Sequence, residues 1–148
     1  IRKETTMSDT YGYNMGLLLN SSPPARPSIP DVHSPIRCFL EIVTLAAQAA
    51  ADRIFIARVP KGAKILGISL NASATLGGTA EIAIGIAGAT GKYRASAIVT
   101  TANAWVESAL NSAVGVALTA DEDIFITVAA ASLPGSGTLR VKVEYLCN

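Results

Sequence analysis

Arg53-Ile-Phe-Ile-Ala-Arg-Val59, then Pro60-Lys-Gly-Ala63, then Lys64-Ile-Leu-Gly-Ile-Ser-Leu-Asn-Ala72 is the stretch on which the fold turns. The first run is rich in Ile, Phe and Val, which suit a pleated, half-buried surface. Pro60 presets its own φ, and Gly62 reaches positive φ without a steric penalty, so the middle segment is turn chemistry. The last run alternates. Leu66, Ile68, Leu70 and Ala72 share one face, and Gly67, Ser69 and Asn71 share the other. A period of two marks a half-buried strand, so this is a strand–turn–strand unit against which the rest of the chain packs.

Working outward, residues 36–44 alternate Ile36, Cys38, Leu40 and Ile42 against Arg37, Phe39, Glu41 and Val43. The alanine-rich residues 45–52 read as a loop or one short helical turn. Residues 81–87 set Ile82, Ile84 and Ile86 opposite Ala83 and Gly85, and residues 92–100 are moderately strand-like. Residues 102–113, with the single tryptophan Trp105, mix helical and strand character, and residues 114–118 read as a short strand. Ile124, Ile126 and Val128 point inward from residues 124–130. Residues 138–145 give the cleanest strand, with Leu139, Val141, Val143 and Tyr145 in, and Arg140, Lys142 and Glu144 out. About eight strands separated by Gly, Pro and Asp turns, with no long helical period, predict an all-β fold: an antiparallel β-sandwich. Eight strands with long crossovers point to a jelly roll. An immunoglobulin-like sandwich is the alternative, but Trp105 does not fall between Cys38 and Cys147 at the expected spacing.

The chain has 148 residues, half of them apolar, with a net charge of +1 and few aromatics. That length suits one domain, and a core of small and β-branched side chains suits stacked sheets better than a roomy cofactor pocket. Lys and Arg are scattered, which argues against nucleic acid as a partner. No apolar run reaches the roughly 18–20 residues of a membrane helix, so no membrane partner is expected. Cys38 and Cys147 read as two buried small hydrophobes in a reducing compartment, with a disulfide between first and last strands as the alternative.

Residues 1–35 differ in kind from residues 36–148. Tyr11, Tyr13, Met15, Leu17, Leu18 and Leu19 form a sticky patch, followed by a proline-rich run with Pro23, Pro24, Pro27, Ile29, Pro30 and Pro35. Proline at that density blocks helix and central strand and favours an extended path. The expectation is an extended N-terminal arm, residues 1–35, that docks on a neighbouring subunit or larger scaffold, its burial offsetting the ordering entropy. The alternative is an arm folded back on its own domain.

Catalytic chemistry is hard to assemble from this inventory. The single histidine, His33, lies in the proline-rich run, a poor platform for a triad or a metal site. Asp121, Glu122 and Asp123 are consecutive, whereas a calcium loop spaces its ligands and bends at a glycine, so they read as a solvated turn. The other carboxylates are scattered, and the glycine-rich residues 85–91 lack the G-x-x-x-x-G-K-[ST] sequence that cradles phosphates, with no helix following, so they read as turns. Tyr93 and Trp105 offer a sugar-stacking surface only as isolated aromatics, with core or interface use as the stronger reading. No enzyme activity, cofactor or metal is expected.

The segment Asp52-Arg-Ile-Phe-Ile-Ala-Arg-Val-Pro-Lys-Gly-Ala-Lys-Ile-Leu-Gly-Ile-Ser-Leu70 resembles one found in small virion proteins of tailed bacteriophages. There an apolar strand meets a Leu/Val-Pro-x-Gly-Ala turn and a second strand. The likeness continues through Leu76-Gly-Gly-Thr-Ala-Glu-Ile-Ala-Ile-Gly85, Gly91-Lys-Tyr-Arg-Ala-Ser-Ala97 and Leu133-Pro-Gly-Ser-Gly-Thr-Leu-Arg-Val-Lys-Val-Glu-Tyr145, spanning residues 45–146 in order. The resemblance implies a virion structural protein, most like a capsid decoration (cement) protein. Such a protein would be made in the host cytoplasm and would sit on the outer capsid surface. There it would clamp neighbouring major capsid proteins as a homo-oligomer, with a trimer favoured. A head- or tail-fibre module that binds a host receptor or glycan is the alternative.

Overall fold

A computed structural model describes residues 22–23, 35–108 and 112–147, and the fold is that of the unit Pro35–Asn148. Eight strands follow in order: β1 (Ile36–Thr44), β2 (Arg53–Val59), β3 (Lys64–Ala72), β4 (Glu81–Ile86), β5 (Ala89–Ile98), β6 (Val106–Glu107), β7 (Glu122–Ala129) and β8 (Thr138–Leu146). They form two four-stranded antiparallel sheets, one ordered β1-β8-β3-β6 and the other β2-β7-β4-β5. No described residue is helical.

The strand order has a simple origin. Pairs β1·β8, β2·β7, β3·β6 and β4·β5 are those of one long antiparallel ribbon folded at its middle. Rolling that ribbon brings β8 beside β3 and β7 beside β4, which divides it into two facing sheets. This is the connectivity of a jelly roll, two interleaved Greek keys that leave only four sheet edges. Consecutive strands such as β2 and β3 therefore belong to different sheets, and the 60–63 turn is a corner between layers instead of a hairpin.

That corner is built as its residues predict. Gly62 takes φ of 85°, and Ala63 N–H donates to Pro60 O at 3.2 Å. Lys61 N–H donates to Asp121 Oδ1 at 2.8 Å, and Gly62 N–H to Leu118 O at 2.9 Å, so the corner is tied to the approach to β7.

Ile65, Ile68, Leu70 and Ala72 of β3, with Leu139, Val141, Val143 and Tyr145 of β8, face Ile82 and Ile84 of β4 and Ile124, Ile126 and Val128 of β7. Tyr93 of β5 is fully buried among them. Burial at about 25 cal/mol per Å2 of apolar surface makes this seam the main source of stability.

Four expectations need correction. Leu66 is exposed and Ile65 takes its place in the core, because a bulge between Ile65 and Gly67 shifts the alternation by one residue. On β1 the inward side belongs to Phe39 and Val43, and Ile36, Cys38, Leu40 and Ile42 lie outside. The cause is the register: Phe39 opposes Val143 and Val43 opposes Leu139, so β8's inward residues draw the odd positions in. Residues 114–118 are a turn with one bridge, Lys64 to Ala117, and the strand in this region is instead the two-residue β6. Cys38 is exposed, whereas Cys147 packs partly against the core. They project to opposite faces of the sheet, and no disulfide joins them.

Candidate functional site

The outer face of the β1-β8-β3-β6 sheet carries the most unusual surface among the described residues. Cross-strand partners in an antiparallel ladder project to the same face. Ile36, Cys38, Leu40 and Ile42 therefore stand beside Leu146, Glu144, Lys142 and Arg140 of β8. Beyond them, Glu144, Lys142 and Arg140 stand beside Gly67, Ser69 and Asn71 of β3, and Ser69 beside Glu107 of β6. One edge of the face is thus an aliphatic strip with Ile36 62%, Leu40 58% and Ile42 58% exposed. An isolated exposed aliphatic needs no explanation, but three aligned on one strand make a continuous apolar strip.

Beside the strip runs a polar band with internal order. Lys142 Nζ lies 3.1 Å from Glu144 Oε1 and 5.7 Å from the centroid of the half-exposed Trp105 ring. The hydrogen bond to Glu144 is the first cause that holds the Lys142 pKa above its ordinary value. Ser69 Oγ donates to Glu107 Oε1 at 2.6 Å, which fastens β6 to β3. Just past β6 the buried Ser108, two residues beyond Val106, accepts from Arg94 Nη1 of β5 at 3.0 Å, and Arg94 Nη2 donates to Ile98 O at 3.1 Å. An apolar strip bordered by organised charge matches the core-and-rim plan of protein interfaces.

The opposite sheet offers a smaller feature. Phe55 is 61% exposed and tilts against Phe125 at 5.3 Å between centroids, with Arg53 5.2 Å from the Phe125 centroid.

The three consecutive acids diverge, each to its own partner. Asp121 receives Lys61 N–H. Asp123 pairs with Arg58 at 3.2 Å on the surface. Glu122, expected in a solvated turn, begins β7 and is largely buried, where it pairs with Lys92 Nζ and accepts the Tyr93 hydroxyl at 2.5 Å. Burial, and then the bonded carboxylate, push the Tyr93 pKa far upward. The three carboxylates are thus held by different partners, and among the described residues no three His, Cys, Asp or Glu side chains gather. Tyr93 is also removed from any sugar-stacking role, since its ring is inside the sandwich and Trp105 stands elsewhere on the surface.

Of the arm residues singled out in the sequence, Pro23 and Pro35 are described, and both are exposed. Tyr11, Tyr13, Met15, Leu17, Leu18, Leu19, Pro24, Pro27, Ile29 and Pro30 lie outside the described residues, as does His33. The strip on β1 was assigned inward by its sequence. Both faces of β1 carry apolar residues, so alternation alone could not say which face the core would take.

Solved structures of similar fold come from bacteriophage capsids. A chain of the cyanophage Pam1 capsid asymmetric unit matches with a TM-score of 0.66 at 20% identity, covering 86% of this chain and 97% of that one. A chain of the capsid of Ralstonia phage GP4 matches with a TM-score of 0.63 at 22% identity, covering 82% and 90%. A chain of the acid-stable capsid of Helicobacter pylori bacteriophage KHP30 matches with a TM-score of 0.57 at 15% identity, covering 78% and 90%. No protein-family model matches the chain, and no curated protein matches its sequence.

Proposed function

We propose that the chain is a structural protein of a bacteriophage virion, a decoration or cement protein on the outer capsid surface. In this reading it binds as a homo-oligomer and clamps neighbouring copies of the major capsid protein, and its work is contact instead of catalysis. The observation that carries the reading is the likeness in fold to chains of three phage capsid structures, each spanned over at least 90% of its length. The exposed aliphatic strip of β1 supports it, because the strip follows directly on the proline-rich segment that ends at Pro35.

The mechanism follows from the residues. Tyr11, Tyr13, Met15 and Leu17–Leu19, with the Pro23–Pro35 run, supply an adhesive segment that lies across adjacent capsid subunits. Burying it contributes at about 25 cal/mol per Å2, less the cost of ordering. Repetition over a closed shell adds avidity without new contacts.

Sedimentation of the purified protein with undecorated phage capsids tests the reading. Co-sedimentation that is lost on deleting residues 1–35, with the thermal transition of the remaining domain retained, is the expected result. Binding that survives the deletion would sink the arm model, and failure to bind capsids at all would sink the decoration reading. A host-receptor or glycan module is the second reading, favoured by the half-exposed Trp105 beside Lys142. It requires binding to host cells that is lost in Trp105→Ala.

A further inference from the structure

Of the four sheet edges, three are blunted. β6 is two residues long, the β2 ladder is broken by a bulge between Phe55 and Ala57, and the β5 ladder shifts register twice. Short, bulged or irregular edges discourage pairing with another chain. The fourth edge, β1, runs nine residues without a register shift and, among the described residues, has one neighbour, β8. Ile42 N–H donates to the adjacent Glu41 Oε1 at 3.3 Å, a local bond for an amide on the open side of a strand. Alternation then turns the backbone groups of Ile36, Cys38 and Leu40 to the same open side.

The sequence of that edge is self-complementary. Ile36-Arg-Cys-Phe-Leu-Glu-Ile42 reads symmetrically about Phe39: Ile36 matches Ile42, Arg37 matches Glu41, and Cys38 matches Leu40. Placed antiparallel to itself, the strand sets every residue opposite a compatible one. Among the described residues, neither Arg37 nor Glu41 has an ion-pair partner within one copy.

We propose that two copies of this chain pair antiparallel through β1 about a twofold axis at Phe39, joining two four-stranded sheets into one of eight strands. Ile36 and Ile42 of each copy then exchange backbone hydrogen bonds, and Ile42 N–H leaves the Glu41 carboxylate for the partner's backbone. Arg37 of each copy meets the partner's Glu41 in a non-hydrogen-bonded position, where side chains come closest. Phe39, already stacked on Tyr145 at 5.8 Å, meets its own twin and completes an aromatic row across the seam. On the outer face the two aliphatic strips merge into one patch. The pairing does not depend on what that patch then binds.

Analytical ultracentrifugation of the full chain decides it. The wild type is expected to be a dimer. Arg37→Glu and Glu41→Arg each set like charges opposite one another twice per dimer and should weaken association about tenfold to a hundredfold. Combining them restores opposite charges across the axis and should restore the dimer, a rescue that a merely structural role for either residue would not give. Both side chains are exposed, so the variants should keep the wild-type thermal transition, which is measured alongside. A monomer or trimer in the wild type overturns the proposal, as does a double variant that stays dissociated. A monomer that dimerises only after residues 1–34 are removed would show the edge to be covered by the chain's own segment, and also overturns it. Capsid co-sedimentation scores separately: a dimer that ignores capsids would defeat the decoration reading and leave the pairing standing.

Discussion

Gly85 is the residue on which the β4–β5 turn depends. A Cβ built there would sit 2.1 Å from Ala89 O and 2.6 Å from Thr90 O, both backbone atoms that cannot swing aside. Gly85→Ala should destabilise the fold by about 1–3 kcal/mol, the range for forced overpacking, seen as a Tm lowered by roughly 5–12 °C. Tyr93 and Glu122 make a second test. The folded state holds the Tyr93 proton more tightly than the unfolded chain, where tyrosine ionises near its ordinary value of about 10. Stability from this group is therefore complete below pH of about 10 and is lost as pH rises above it. Tyr93→Phe should flatten that alkaline fall in urea-melting experiments, and an unchanged slope would put the titration elsewhere. Glu122 was half legible. It shares parity with Ile124, Ile126 and Val128, so the inward direction was written in the sequence. Its partners Lys92 and Tyr93, thirty residues upstream, were not.

At the scale of elements, what the sequence showed was period, and what it concealed was phase. β8 needed no correction, because one face is wholly apolar and the other wholly polar apart from its ends. β3 lost phase at Leu66, where a bulge inserts one residue that no local preference announces. β1 carries apolar residues on both faces, and only its register against β8 decides between them. β6 is too short to leave a periodic signal and is held largely by Ser69 and Glu107. Ser69→Ala removes that charged hydrogen bond and should cost about 1.5–3 kcal/mol. Hydrogen exchange should accelerate at Ser108 N–H, which donates to Ile68 O, well before it accelerates in β8. Leu40→Ser and Ile42→Ser on the open face should change stability by no more than about 0.5 kcal/mol each, because neither side chain enters the core. A large loss of Tm in either would mean that the strip is already covered, by the chain itself or by a second copy.

Across the whole molecule, eight strands and an antiparallel sandwich could be read from turn spacing and alternation, but the rolled order of the strands could not. That order depends on pairings between strands distant in sequence, such as β1 with β8, which no local pattern encodes. The same order explains why the two cysteines remain apart. β1 and β8 are neighbours, but Cys38 projects outward and Cys147 lies on the core side. Reducing agent should leave the Tm unchanged, and a non-reducing gel should show no faster-migrating intramolecular form.

The rolled ribbon also gives the sandwich two ends built from different segments. Ile36 and Lys64 both stand opposite Leu146, so the starts of β1 and β3 gather with the finish of β8 at one end. Ser73 N–H donates to Thr138 O, and Leu133 N–H to Gln48 O, so the loops around residues 45–52, 73–80 and 130–137 gather at the other. There Gly77 and Gly78 have open space where a side chain would begin. Foreign sequence placed between those glycines would emerge at the pole opposite Pro35, clear of the β1 edge, making this end of the sandwich a ready platform for multivalent display of an epitope.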